Sequence, residues 1–145
     1  SLYHFFDSVE ALTDALYARG VEKMMAHVTE LAQSSDWRQL MTEALSKSRD
    51  FYNNNPVEMI LALSPRSISK VVSLNKTIGR DVHALLVERA NVSKAPKVGK
   101  CCEIAVDIAD AVWRKSFFEH GKITPMYHRE ATAAVLLYLE RVLAT

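Results

Sequence analysis

Apolar residues recur three and four positions apart along the whole chain, the spacing that places them on one face of an α-helix. Glycine and proline, which interrupt helices, occur only four times each. We therefore predict an all-α fold in which short polar or proline-containing segments separate the helices.

Polar caps and prolines mark where the predicted helices begin and end. Asp7 or Ser8 is expected to cap the first helix, and Ser35 or Asp36 the second. Thr124 is expected to cap the last helix. The predicted helices run from about Val9 to Gln33, Trp37 to Asn53, Pro56 to Leu63, Ile68 to Ala90, Val98 to Glu119 and Pro125 onwards.

The last two predicted helices have more apolar surface than one small domain can cover. In ATAAVLLYLERVLA the polar interruptions lie on different sides of the helix, at Thr132, Glu140 and Arg141. The preceding helix has one narrow polar strip, formed by Glu103, Asp107, Asp110 and Arg114. We predict a homodimer in which these helices from two copies form a four-helix bundle, through Ala105, Ile108, Val112, Val135, Leu139 and Val142. The alternative is a buried helical hairpin inside a monomer.

Composition narrows the class of protein. At 145 residues and 49% hydrophobic content the chain suits one domain with a core. Its net charge of +1 gives no overall field for holding nucleic acid or an anionic membrane. No run is long enough to span a membrane and the start lacks the features of a signal peptide, so we expect a cytoplasmic protein. Cys101 and Cys102 are adjacent and would point in different directions on a helix, which predicts free thiols.

The opening stretch LYHFFDSVEAL carries a family-like pattern. It resembles the junction in TetR-family transcriptional regulators where the recognition helix ends and the regulatory domain begins. In that family the stretch reads as an aromatic-rich Leu-Tyr segment, then Phe, a turn residue, Ser, Lys, Glu, any residue and Leu. The matching positions are Tyr3, Phe6, Ser8, Glu10 and Leu12.

The resemblance implies what lies on either side of this junction. Residues 1–6 would be the remnant of the recognition helix, and residues 7–145 a ligand-binding and dimerisation domain. Tyr3 and His4 would lie near DNA phosphates. The implied partners are a second copy of the chain, operator DNA bound through an N-terminal part absent from this sequence, and a small apolar or amphipathic ligand, with no membrane.

The resemblance also implies a small-molecule pocket, and three predicted helices place a polar group within or beside an apolar face. Asn75 lies within the apolar stripe of the fourth helix, with Gly79 one turn away leaving space. Ser48 lies within the stripe of the second helix, and His27 borders that of the first. Buried polar groups need partners, and a ligand is one such partner. The candidate ligand-binding residues are Asn75, Ser48, His27, Trp37, Met41 and Tyr52.

Each polar candidate also has a purely structural explanation. Ser48 can bond the carbonyl one turn back, and Asn75 can bond a neighbouring helix or face solvent. Trp113, Phe117 and Phe118 could line the same pocket, although aromatic residues at helical spacing are more often core.

Other chemistries lack the residues they need. The sequence contains no Glu-x-x-His pair for a di-iron site, no glycine-rich phosphate loop, no zinc-finger spacing and no nucleophile motif. We expect no enzymatic activity, no cofactor and no metal site. Cys101 or Cys102 could act as a redox sensor if Lys97 or Lys100 stabilised its thiolate, but two small core residues are the default.

The resemblance to TetR-family regulators implies a ligand-responsive transcriptional repressor whose small-molecule pocket controls the DNA affinity of a homodimer. Three other classes stay open. A small helical enzyme would need clustered titratable groups in a cleft. A free-standing helical dimerisation or adaptor module would dimerise without binding a metabolite. A small helical ligand-binding protein would have the pocket but no DNA function.

Overall fold

The computed structural model describes the backbone of residues 2–143 and the side chains of residues 8–143, so the side chains of Tyr3 and His4 lie outside the described residues. Residues 2–143 form six helices and no strand, which confirms the all-α prediction. The helices are α1 (Leu2–Leu31), α2 (Trp37–Asn54), α3 (Pro56–Leu63), α4 (Ile68–Ala90), α5 (Pro96–His120) and α6 (Pro125–Leu143).

The predicted start of the first helix is wrong. α1 runs without a break through Asp7 and Ser8, so neither residue is its cap. The segment upstream of Val9 contains no glycine or proline to end the helix. The result is a rod of 30 residues, about 45 Å long.

The other helix ends follow the local signals. The Asp36 carboxylate accepts a hydrogen bond from the Gln39 amide at 3.0 Å, a standard N-cap. The Tyr127 amide donates to the Thr124 hydroxyl at 3.4 Å at the start of α6. α5 begins two residues before the predicted Val98, because Pro96 suits the first turn of a helix. It ends where Gly121 adopts a left-handed conformation with φ of 72°.

The helices pack around one core. α5 packs against α4 on one side and α6 on the other, while α1 lies across α2, α3 and α4. The Asn53 side chain fixes the turn between α5 and α6, since it exchanges two 3.0 Å hydrogen bonds with the backbone of Ile123. The largest fully buried side chains are Val28, Leu40, Leu86, Cys102, Ser116, Ile123, Val135 and Leu139.

Three of the residues predicted for a dimer interface are instead buried inside the domain. Ala105, Val135 and Leu139 are at most 1% exposed, because the mutual packing of the helices turns them towards the core. Ile108, Val112 and Val142 are partly exposed.

The outward side of α5 and α6 carries other apolar side chains. Ile104 is 39% exposed and Leu137 is 67% exposed, and both fall on helical faces opposite the buried positions. Ala111 and Ala133 are exposed on the same two faces. We call Ile104, Ile108, Ala111, Ala133 and Leu137 the outer patch. No helix within residues 2–143 is both long and apolar enough to cross a membrane.

Candidate ligand cavity

A cavity of about 60 Å³ lies in the core between α1, α2, α4 and α5, with Leu63 of α3 at one side. Its walls are predominantly apolar and include three of the five methionines of the chain. The lining side chains are Tyr17, Met24, Met25, Val28, Met41, Ala44, Leu45, Ser48, Tyr52, Leu63, Asn75, Ile78, Val82, Ala105, Val106, Ala109, Asp110 and Trp113.

The structure brings together four of the six candidate ligand-binding residues predicted from the sequence. They are Asn75, Ser48, Met41 and Tyr52. His27 and Trp37 do not line the cavity. His27 packs against Phe51, with ring centroids 6.0 Å apart. The Arg38 guanidinium covers Trp37 at 4.7 Å from the ring centroid.

Asn75 is 2% exposed and is held by the neighbouring helix. Its side-chain amide donates to Asp107 Oδ1 at 3.0 Å and to Asp110 Oδ2 at 3.2 Å. Arg114 donates to the same Asp110 oxygen at 2.6 Å and to the Ser64 carbonyl at 3.0 Å. The polar strip of α5 thus anchors α4 and the α3–α4 loop, and only Asn75 and Asp110 of this network reach the cavity.

The hydroxyl groups at the cavity are protonated at neutral pH. The Ser48 hydroxyl donates to the Ala44 carbonyl at 2.8 Å. This is the bond to the carbonyl one turn back that was given above as the structural explanation for Ser48. Burial, with the nearby Asp110 carboxylate, raises the pKa of Tyr17 to about 12. Burial also raises the pKa of Tyr52. The two phenols therefore act as neutral hydrogen-bonding groups beside apolar walls.

Trp113 lies in an aromatic stack on one side of the cavity and is 5% exposed. Its ring meets Tyr52 edge-on at 6.1 Å and stacks on His128 at 6.1 Å with an interplanar angle of 29°. Its indole Nε1 is buried and has no hydrogen-bond partner among the described residues. The ring nitrogen Nδ1 of His128 is buried in the same way, and burial lowers the pKa of this histidine.

Gly79 does not leave space for the cavity, contrary to the sequence expectation. A Cβ built on Gly79 would lie 2.6 Å from the Cα and 2.9 Å from the Cγ of Glu103. The absence of a side chain at Gly79 therefore allows α4 and α5 to approach each other closely.

Tyr17 and Asp110 line the cavity but were not predicted from the sequence to do so. For Trp113, the sequence favoured a core position over a position in the cavity wall. Tyr17 falls on the buried face of α1, in register with Met24 and Val28, and this spacing could have signalled its position. Asp110 belongs to the polar strip of α5, whose direction depends on how α4 packs.

Cys102 is a fully buried core residue, and this burial raises the pKa of its thiol to about 12, so the thiol is protonated at neutral pH. No group of three or more potential metal-ligating side chains occurs in the part of the chain that the structure describes. Comparisons with protein-family models, with curated proteins and with solved structures found no match.

Proposed function

We propose that this chain is the ligand-binding and dimerisation domain of a TetR-like transcriptional repressor that works as a cytoplasmic homodimer. One observation carries the proposal. The C-terminal half of α1 lines the cavity, and the N-terminal part of the same helix carries the residues that resemble the regulator junction, although α1 continues through Asp7, where the family has a turn.

The geometry of α1 supports a direct coupling between cavity and junction. Tyr17, Met24, Met25 and Val28 present the cavity face of this helix. Because α1 is one continuous helix, a ligand that shifts its cavity-lining part also shifts its N-terminal end. Between the cavity and the junction, Asp14 of α1 pairs with Lys70 of α4 at 3.0 Å, so a shift of α1 must carry α4 with it or break this contact.

In this mechanism the ligand acts by preference between two conformations. The ligand binds more tightly to the conformation in which the two DNA-binding parts are wrongly spaced for the operator. The difference between its binding free energies for the two conformations is the amount by which it weakens operator binding. The effect requires two copies held in fixed relation. The outer patch on α5 and α6 supplies a surface for that contact, with apolar side chains flanked by exposed charges of both signs at Lys100, Asp107, Lys115, Glu130 and Arg141.

DNA binding by the full-length product of the parent gene tests the proposal. At low salt it is expected to bind DNA from its own promoter region more tightly than unrelated DNA of equal length, measured by fluorescence anisotropy. Equal affinity for the two DNAs, or no binding to either, would contradict the repressor function.

A further inference from the structure

Two buried phenols in the cavity wall have hydroxyl groups that bond to no other described residue. They belong to Tyr17 and Tyr52, which are 3% and 5% exposed. The side chains within residues 8–143 whose unbonded polar atom is sealed from water are Trp113, Arg114, His128 and Thr132. Neither phenol belongs to this group, so each hydroxyl borders open space. For these two residues, buried in the core, that space is the cavity that both of them line.

Acceptor oxygens lie on the side of the cavity formed by α4 and α5. Asn75 bonds Asp107 and Asp110 through its side-chain nitrogen, so its Oδ1 receives no hydrogen bond from the described residues. Asp110 accepts from Arg114 and Asn75 at Oδ2, and its Oδ1 likewise receives none. These two oxygens only accept, whereas a phenol hydroxyl both donates and accepts. The group that suits this wall best therefore donates one hydrogen bond and accepts another.

The charges at the cavity favour a neutral ligand. Arg114 pairs with Asp110 at 2.6 Å, so a ligand ammonium would lose its hydration for a carboxylate whose charge is already compensated. A ligand carboxylate would lie beside Asp110 with its own charge unpaired. The two phenols add no charge, because burial raises the pKa of both Tyr17 and Tyr52.

The volume of the cavity limits the size of the ligand. A cavity of about 150 Å³ holds benzene, so the 60 Å³ or so enclosed here suits about two to four non-hydrogen atoms. The remaining wall is mostly apolar and includes Met24, Met25 and Met41. Their unbranched, polarisable side chains adapt to small alkyl groups. The cavity thus has a polar side and an apolar side, and room for a very short amphiphile.

Resting on the proposed ligand-binding function, we infer that the cavity binds a short neutral alcohol of about two to four non-hydrogen atoms. Its hydroxyl donates to an oxygen of Asn75 or Asp110 and accepts from a phenol, and its alkyl end contacts the methionines. An alcohol of three non-hydrogen atoms can bind no more tightly than about 0.5 mM, since each atom contributes a limited binding free energy. The site is therefore suited to small molecules present at millimolar concentration.

Four probes of equal size test this assignment at pH 7, each with three non-hydrogen atoms. Ethanol donates and accepts, acetonitrile only accepts, ethylammonium is the cation and formate the anion. 1-Pentanol tests the limit on length. Binding is followed by ¹H–¹³C spectra of the 145-residue chain labelled at its five methionine methyl groups. Met24, Met25 and Met41 report on the cavity, and Met59 and Met126, which do not line it, are internal controls.

Ethanol is expected to bind about 3- to 10-fold more tightly than acetonitrile, the usual net gain from one hydrogen bond. The two ions should give no saturable shift, because each must be desolvated without a partner. 1-Pentanol should bind more weakly than ethanol because it exceeds the cavity, whereas an open apolar surface would bind the longer chain more tightly. Ethanol should shift the three cavity methionines and leave Met59 and Met126 in place.

Tyr52→Phe removes one hydroxyl from the cavity and should weaken ethanol binding about 3- to 10-fold. Tyr127→Phe is the matched control, since the Tyr127 hydroxyl bonds Glu119 away from the cavity, and its affinity for ethanol should be unchanged. Equal affinity of Tyr52→Phe and the unmodified chain for ethanol would overturn the role of the phenol. If Tyr52→Phe does not fold, the ratio of ethanol to acetonitrile affinity in the unmodified chain decides the matter.

Equal binding of ethanol and acetonitrile, preference for either ion, or tighter binding of 1-pentanol would overturn the alcohol assignment and leave ligand binding itself intact. Absence of a shift at the three cavity methionines with every probe would overturn the cavity as a ligand site altogether. Promoter binding is measured separately, so failure of the repressor proposal is distinguishable from both outcomes.

Discussion

Gly79 of α4 lies against the backbone of Glu103 in α5, so close that a Cβ on Gly79 would be 2.6 Å from the Glu103 Cα. The atom in the way belongs to the backbone and cannot rotate aside. This contact fixes the spacing of the two helices next to Asn75, whose bonds to Asp107 and Asp110 cross the same interface.

Gly79→Ala is expected to lower the free energy of unfolding by about 2 kcal/mol or more, since the added methyl forces α4 and α5 apart. Chemical denaturation monitored by circular dichroism measures the change. Gly20→Ala is the matched control, because a Cβ there would meet the Glu58 side chain at an ordinary 3.4 Å. Alanine is the better helix former, so the control should be neutral or stabilising by up to about 1 kcal/mol. Equal destabilisation by both substitutions would contradict this account.

Leu137→Glu and Ile104→Glu test the outer patch as the dimer contact. Each places a charge at the centre of the proposed interface and should raise the dimer dissociation constant at least about 30-fold. Sedimentation analysis across a concentration range gives this constant. Val57→Glu is the control, since Val57 is 65% exposed and lies on α3, which contributes no residue to the outer patch. A protein that is monomeric before any substitution would rule out the dimer.

Much of the fold could be predicted from local signals, and the failures have a physical cause. Asp36, Pro56, Gly121 and Thr124 marked helix ends correctly because capping depends on a few neighbouring residues. Asp7 can also cap a helix, yet a capping residue does not stop a helix that can continue through it.

The cavity was predictable only in part. Ser48 and Asn75 stood out as polar groups on apolar faces, and both line it. Whether an apolar residue faces a neighbouring helix or a second copy depends on how the helices pack together. The residue pattern of a single helix does not show this. For that reason Val135 and Leu139 were predicted to lie at the dimer interface, whereas both are buried inside the domain.

Stability should depend on pH through His128, which is 7% exposed. Burial, reinforced by Arg49, holds the pKa of His128 below its ordinary 6.5. Protonation of His128 is therefore less favourable in the folded state than in the unfolded state. The free energy of unfolding should be highest above about pH 6.5 and should fall as the pH decreases below that value. His128→Phe keeps a ring against Trp113 and removes the titration, so its stability should fall less over the same range. Parallel curves for the two proteins would show that His128 does not contribute.

The two cysteines should differ in reactivity. Burial raises the pKa of Cys102 from 9.0 to about 12, which lowers its thiolate fraction near pH 8 about 1,000-fold. Iodoacetamide should modify the native chain at no more than one site, Cys101, and a second adduct should appear in the mass spectrum only in denaturant. The control Cys102→Ala should show a single adduct even in denaturant. Rapid double labelling of the native chain would contradict the buried position of Cys102.

Whether this domain belongs to a DNA-binding regulator is tested most directly by the intact mass and translated sequence of the parent gene product. We expect two amphipathic helices joined by a tight turn immediately upstream of SLYHFF, leading into α1. A product whose natural start lies at or just before Ser1 would contradict this expectation and favour a free-standing helical dimer.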